Sequence, residues 1–298
     1  MDPAELARRA ADVENPRLAP DDILVTGRTA VVTGGGGGIG QGAALALARF
    51  GAKVAVLDVI PERCEATAAA ITRSGGRALG LPTDVMDSAQ LRGAVRRTHE
   101  AFGSVDILVN NAGGVRGGSF LTMPEASMRR HVEINLVSML VATQEAANLM
   151  IAGGRGGAIV NVSSIEGFRA APEYAVYAAC KAGMVNFTQT MALELGAHGI
   201  RVNCIAPDQT ITPGLRGNRA GPVDPATWPE ESPEDVDRSA RLIPVGRKGL
   251  VEECAAAVVW LCSQMSSYVT GETVSVDGGT RAGGGWSRRP GGGWTLIS

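Results

Sequence analysis

From Thr29 onward the chain alternates two patterns. Short apolar or β-branched runs recur at Thr29–Thr33, Lys53–Asp58, Ala78–Thr83, Val105–Asn110, Ala158–Ser163, Ile200–Ala206 and Thr273–Val276. Between them stand longer, often alanine-rich stretches. One runs to Phe50, and others cover Glu62–Arg73, Ser88–Phe102, roughly Glu125–Ile151, Tyr174–Gly196 and Val251–Gln264. Runs such as Val54–Leu57 and Ile107–Val109 present no polar face, so they predict strands covered on both sides. Strands alternating with helices of this length predict βαβ units around a parallel sheet. The expected fold is α/β: a doubly wound parallel sheet (Rossmann fold) of about seven strands flanked by helices, in a single domain over residues 28–281.

Three segments fall outside this rhythm. Residues 1–27 are charged and proline-punctuated, and predict an N-terminal extension with a short helix over Ala4–Val13. Residues 207–249 are rich in proline, glycine and acids, with one helix expected near Pro233–Leu242. An insertion after a strand's carboxyl end, at the ligand-binding edge of such a sheet, is expected to be a substrate loop. Residues 282–298 form a Gly/Trp-rich tail in which Gly-Gly-Gly-Trp occurs twice, ending at Trp286 and Trp294. The tail is expected either to lack fixed structure or to dock its tryptophans on a neighbouring subunit.

Composition narrows the function. The chain has 298 residues, 45% of them hydrophobic, enough for a substantial core. Its net charge of −2 offers no basic field for nucleic acid or an anionic membrane. The expected partner is a small molecule. The five cysteines are scattered and never in C-x-x-C spacing, which reads as a reduced, cytoplasmic protein. His99, His131 and His198 lack ligand spacing, so no metal site is expected. The first residues carry acids and no apolar run, unlike a signal peptide. The apolar stretch Ala255–Cys262 is too short to span a bilayer.

The string Thr33-Gly34-Gly35-Gly36-Gly37-Gly38-Ile39-Gly40 lies at the first strand–helix junction. Glycines there let the backbone approach a pyrophosphate, and the helix N-terminus offers free N–H groups to it. Asp58 closes the second strand, where a carboxylate accepts ribose hydroxyls and repels a 2′-phosphate. The glycine loop holds no arginine or lysine, and Arg63 is the first basic residue after Asp58. NAD is therefore expected over NADP.

Tyr177 stands four residues before Lys181 in a chain with three tyrosines and three lysines. On a helix these positions share a face. A lysine charge about 5 Å away, at an effective dielectric near 20, favours phenolate by roughly 3 kcal/mol, or about two pKa units. That makes the phenol a candidate general acid–base.

Together these residues resemble the short-chain dehydrogenase/reductase family, in its compact single-domain subgroup. The motifs that carry the resemblance are the glycine string, Asp84-Val85 after the third strand and Asn110-Asn111-Ala112-Gly113 after the fourth. Asn135, Ser163-Ser164, Tyr177, Lys181 and Asp277-Gly278-Gly279 follow in the family's order.

The resemblance implies roles for these positions. Gly34, Gly36, Gly38, Ile39, Gly40, Asp58, Asp84, Val85, Asn111, Ala112 and Gly113 would bind the dinucleotide, with Asn110 lining the cleft. Pro207, Thr210 and Thr212 would contact it after the sixth strand. Asn135, Ser164, Tyr177 and Lys181 would be catalytic. Ser164 would hold the substrate oxygen, and Tyr177 would exchange its proton. Lys181 would bind the nicotinamide ribose and keep the phenol acidic. Asn135 would hold a water that links Lys181 to solvent. The implied function is a hydride transfer between nicotinamide and a secondary alcohol or ketone, on a hydrophobic ring alcohol or a 3-hydroxyacyl-type substrate. A homotetramer or dimer, assembled through the two long helices and the last strand, is implied as well.

One place departs from the family pattern. Where Pro-Gly-x-Ile/Val-x-Thr is usual, this chain has Pro207-Asp208-Gln209-Thr210-Ile211-Thr212. Asp208 is expected to preserve the turn by tolerating left-handed backbone, and its carboxylate to favour oxidised nicotinamide. A second reading is an enoyl-thioester reductase using Tyr174, seven residues before Lys181. A third is an NAD-binding protein without turnover. Met123, Glu166, Phe168, Tyr174 and the Leu215–Leu242 loop are expected to line the substrate pocket. Arg216 and Arg219 are candidates to hold a phosphate or carboxylate.

Overall fold

In the computed structural model, residues 3–11, 18–218 and 220–296 are described. Strand β1 (Thr29–Thr33) is buried at every position. Its side chains alternate between two cores, as the twofold period of a strand requires. Ala30 and Val32 pack with Leu47, Val54, Val56 and Val258. Val31 packs on the other side with Ala55, Leu57, Leu91 and Ile159. Helices α2 (Gly38–Arg49) and α9 (Val251–Cys262) cover the first face. Helices α4 (Ser88–Phe102), α6 (Ser138–Gly153) and α7 (Ala175–Gly196) cover the second.

The remaining strands are β2 (Lys53–Asp58), β3 (Arg77–Pro82), β4 (Ile107–Asn110), β5 (Gly157–Val162), β6 (Ile200–Pro207) and β7 (Thr273–Val276). With β1 they form a seven-stranded sheet in the order β3-β2-β1-β4-β5-β6-β7. Every pair in it is parallel. Strand order reverses between β1 and β4, which opens a crevice at their carboxyl ends. All the loops of the expected site leave the sheet at that edge.

Local chemistry sets the element ends. Asp87 caps α4 by accepting the backbone N–H groups of Ala89 and Gln90, and left-handed Gly103 (φ 84°) ends it. The single long helix expected from Glu125 is interrupted. Helix α5 (Glu125–Val132) passes through a π turn at Glu133–Val137 before α6 begins. No proline or glycine marks the interruption. By length and composition alone, an 18-residue window within the run Glu125–Gly153 is apolar enough to cross a membrane, at mean hydropathy 1.3. Here its Ala142, Ala146 and Met150 pack on the sheet, and Glu145 pairs with Arg92 and Arg96.

At the opposite edge Asp106, 2% exposed, ties strand starts together. It accepts the Thr29 N–H and the Ser104 hydroxyl, each at 2.8 Å, and both its oxygens take Arg155 Nη2 at 2.5 and 2.7 Å. Asp106→Ala strands these donors. It is expected to lower stability by about 3 kcal/mol, seen as an earlier urea midpoint at unchanged m-value.

Before the domain, α1 spans Pro3–Ala11. The expected continuation to Val13 lies outside the described residues. After β7, α10 (Thr280–Gly283) leads into a hairpin of β8 (Ser287–Arg288) and β9 (Trp294–Thr295). Arg288 donates to the Pro244 carbonyl at 2.6 Å and lies over the Trp294 ring at 5.3 Å. The tail thus folds back on its own chain rather than lacking fixed structure, and Trp286 and Trp294 stay exposed. Its glycines supply left-handed turns, and these two arginine contacts hold the result.

Candidate active site

The glycine string folds tightly against both neighbouring strand ends. A Cβ on Gly40 would lie 2.2 Å from the Gly34 carbonyl oxygen, and Gly34 itself has φ +61°. A Cβ on Gly36 would meet the Asp58 carboxylate at 2.9 Å. Asp58 accepts the Gly36 N–H at 3.1 Å and the Ile60 N–H at 3.0 Å. A bare backbone surface, the N-terminus of α2 and a strand-end carboxylate therefore lie side by side. These residues fit the adenosine and pyrophosphate parts of a dinucleotide.

The other expected binding residues gather around this cradle. Asn111 Nδ2 donates to the carbonyls of Thr33 and Gly34, both at 3.1 Å. Thr33 Oγ1 accepts the N–H groups of Asn111 and Ala112, both at 3.0 Å. The ends of β1 and β4 are thereby cross-tied at the crevice. Ile39 packs against the first core, and Val85 is buried beyond β3. The Asp84 carboxylate accepts the Met86 N–H at 3.0 Å. Pro207 ends β6. Thr212 lies against Gly38, its Cβ 3.3 Å from where a glycine side chain would start. The Thr210 hydroxyl is turned instead to the Asp208 carbonyl and Cys254 Sγ.

Ser164 follows β5, and α7 begins eleven residues later. The Ser164 hydroxyl accepts the Glu166 N–H at 3.3 Å and lies near enough to the Tyr177 hydroxyl to favour its ionised form. Lys181 lies one turn beyond, with Nζ 5.6 Å from the Tyr177 ring centroid. Nζ donates to the Val162 carbonyl at 2.8 Å, and Ser163 Oγ donates to the Lys181 carbonyl at 2.9 Å. These bonds lock α7 to the end of β5. The π turn aims Asn135 the other way: its amide donates to the Gly114 and His131 carbonyls and accepts the Gly114 N–H at 3.1 Å. A Cβ on Gly113 would meet the same Asn135 Oδ1 at 2.8 Å. A π turn at a functional loop is a recurrent arrangement.

The electrostatics correct one sequence expectation. Lys181 does not pull the phenol down here. Burial raises the Tyr177 pKa above its ordinary value; the Ser164 hydroxyl opposes this and the Glu166 charge adds to it. Lys181 is itself pushed down to about 8, chiefly by burial. Its ammonium is directed at Val162, and a charge that is half lost near pH 8 is a weak lever.

Asp208 is also corrected. Among the described residues the one non-glycine with positive φ is Glu173, at 71°, so Asp208 needs no left-handed backbone. Its carboxyl is raised, first by burial, with Thr280 and Arg169 opposing. Arg216 is engaged by Glu231 at 3.1 Å and by the Pro229 carbonyl, while Arg219 lies outside the described residues. Phe168 and Tyr174 stay partly open to solvent, and Arg281 stacks on Phe168 with Cζ 3.7 Å from the ring centroid.

Three contacts were hidden in the sequence, Arg63 having stood out only as the first basic residue after Asp58. Arg63, nearly buried, reaches from α3 (Pro61–Arg73) past Gly36 and Gly37 to the 207–249 loop. It donates to the Gly221 carbonyl at 2.6 Å and to the Asn218 side chain at 2.8 Å. Arg169 joins Glu166 to Asp208, and Glu173 gives its carbonyl to Gly118 at 3.0 Å. Only the strained φ of Glu173 carries a local signal, and it is visible in the backbone alone.

Comparison with known proteins agrees with this geometry. A family model described as Enoyl-(Acyl carrier protein) reductase matches residues 34–281. The 3-oxoacyl-[acyl-carrier-protein] reductase FabG of Chlamydia muridarum is 35% identical over 260 residues, covering 86% of this chain and 98% of that protein. A solved 7α-hydroxysteroid dehydrogenase, complexed with NADH and 7-oxo glycochenodeoxycholic acid, superposes with TM-score 0.80 at 32% identity. That match covers 88% of this chain and 97% of the other. A gluconate 5-dehydrogenase of Burkholderia cenocepacia J2315, in complex with NADP and tartrate, gives TM-score 0.79 at 31% identity, covering 88% and 98%.

Proposed function

Because the chain belongs to the short-chain dehydrogenase/reductase family, we propose that it is an NAD-dependent oxidoreductase acting on a secondary alcohol or its ketone. The observation that carries this reading is the Ser164–Tyr177 hydroxyl pair, with Lys181 one turn away, at the sheet edge that holds the glycine cradle. Nicotinamide, when bound, supplies the hydride acceptor. Ser164 holds the substrate oxygen. Tyr177 takes its proton in oxidation and returns it in reduction. Lys181 lies behind the phenol, fixed by Val162. Asn135 holds the Gly113–Gly114 backbone that borders the cleft.

Asp58 supports NAD over NADP. Its carboxylate, beside the Gly36 backbone of the cradle, would repel a 2′-phosphate there, and the nearby Arg63 guanidinium is engaged by the substrate loop. Two such charges about 5 Å apart in a partly wet cleft repel by about 3 kcal/mol. Asp58→Ser is therefore expected to improve the NADP-to-NAD ratio of kcat/KM by roughly 100-fold. An unchanged ratio contradicts the assignment.

For the substrate, we favour a hydrophobic ring alcohol or a 3-hydroxyacyl compound, because Phe168 and Tyr174 leave apolar surface on the segment that joins Ser164 to α7. The names of the oxoacyl and hydroxysteroid relatives support this class. NAD reduction measured against alicyclic, steroidal and 3-hydroxyacyl alcohols tests it; turnover confined to none of them removes the reading. We also infer a cytoplasmic homo-oligomer, since all five cysteines are buried and unpaired and Leu193 on α7 is 85% exposed. Sedimentation of wild type against Leu193→Glu checks the association.

The family description favours one alternative, an enoyl-thioester reductase centred on Tyr174. That residue caps the start of α7, and a Cβ on Gly117 would meet its ring at 2.9 Å. Tyr177→Phe separates the two readings. Carbonyl chemistry is lost in it on the first and enoyl reduction survives on the second.

A further inference from the structure

Two carboxylates stand on the loops that follow β5 and β6, and one guanidinium joins them. Arg169 Nη2 and Nε meet the two oxygens of Glu166 at 2.9 and 3.3 Å. The same Nη2 lies 4.0 Å from Asp208 Oδ1. Glu166 is on the 3-10 turn that follows Ser164, and Asp208 follows the last residue of β6. The fork therefore joins the turn after β5 to the end of β6. We propose that Arg169 is a positioning residue for the acid–base chemistry: it holds the Glu166 carboxylate toward Asp208 and offsets that charge beside the Tyr177 hydroxyl. This rests on the reading of Tyr177 given above.

The charged groups on the elements around the phenol and the Arg169 fork are few. On α7 itself there is Lys181, directed at Val162. The turn after β5 brings Glu166, with Arg169 behind it. The end of β6 brings Asp208, and the turn after β7 brings Asp277, whose oxygens accept the N–H groups of Gly279 and Arg281. Arg281 faces the ring of Phe168. The elements packed along α7 from the helical side carry His131 and Glu133, and the His131 carbonyl accepts Cys180 Sγ at 3.8 Å. An unmatched carboxylate near a phenol opposes formation of phenolate. A guanidinium suits the task because its planar fork engages both oxygens of one acid while still facing a second. Arg169 is partly exposed, so solvent screening limits the effect.

Direct titration of the phenol tests this without requiring turnover. The chain has three tyrosines, so a Tyr174→Phe/Tyr268→Phe background leaves Tyr177 as the one phenolate chromophore. In the full-length protein, Arg169→Met is expected to raise the titration midpoint by about half a unit to one unit. Adding Glu166→Gln should bring it back to or below its starting position, and Arg169→Lys should fall between. The rising limb of kcat/KM for alcohol oxidation should move with it, lowering the rate about three- to tenfold at fixed pH. Glu166→Gln alone, which keeps Arg169, should lower the midpoint and serves if Arg169→Met does not fold. A midpoint that stays put in either single variant overturns the proposal. So does a rise that persists after Glu166 is neutralised, or a fall in kcat with no movement of the midpoint. Absence of any alcohol turnover bears on the redox reading and leaves this titration interpretable.

Discussion

Phenylalanine at position 177 is expected to lower turnover of a secondary alcohol by about 10²–10⁴-fold, while dinucleotide affinity changes no more than about threefold. The substitution removes one oxygen and keeps the ring that packs beside Lys181. What is lost is the group that exchanges a proton with the substrate oxygen. Ser164 cannot replace it, because a hydroxyl held by Glu166 N–H has no charge to take up. Binding of the dinucleotide rests on the Gly34–Gly40 loop and Asp58, on other strands, so it should survive. Stopped-flow turnover and fluorescence titration of the dinucleotide measure the two halves separately. Parallel losses in both would mean that the ring is a packing element.

The second large effect is a gain in stability together with a loss of activity. Lys181 is buried, with a folded-state pKa near 8 against an ordinary 10.5. Below pH 8 the lysine is charged in both states, and holding that charge in the fold costs on the order of 3 kcal/mol. Between pH 8 and 10.5 the unfolded chain binds the extra proton, so wild-type stability should rise with pH through this window. Lys181→Met removes the charge but also the bond to the Val162 carbonyl. At neutral pH the variant is expected to be more stable by about 1–2 kcal/mol, or roughly 1.5–3 °C in Tm. Its advantage should shrink as pH approaches 10.5. Its kcat should fall by at least about 10²-fold, the pattern of a residue kept for function at a cost to the fold. Calorimetry across that range checks the sign. A variant less stable than wild type at pH 7 would mean that the buried amine stabilises the fold.

How legible each feature was follows from the kind of physics that fixes it. Strands such as Val54–Leu57 are buried on both faces, so their sequence is apolar throughout and easily read. The glycine string was readable because a close backbone approach excludes side chains, as the 2.2 Å clearance at Gly40 shows. The Tyr177–Lys181 pairing followed from helical spacing. Its electrostatic consequence did not, because the ammonium found a carbonyl on β5, far away in sequence. The π turn at Asn135 was invisible, since its cause is a side chain reaching Gly114 rather than any local breaker. The partners of Arg63 and Arg169 were invisible for a related reason: only the tertiary fold brings them near. The expectation of an unstructured tail failed because dense glycine signals freedom, while Arg288 anchors it to Pro244.

The most direct test is a single-turnover experiment. Protein saturated with NAD is mixed with a reactive secondary alcohol, and reduced nicotinamide is followed by its near-ultraviolet absorbance as pH is varied. Wild type should give a burst whose rate rises with pH as the phenol loses its proton, and Tyr177→Phe should show a burst at least about 10²-fold slower with that rise abolished. An equally fast burst with the same pH dependence in the phenylalanine variant would contradict the account.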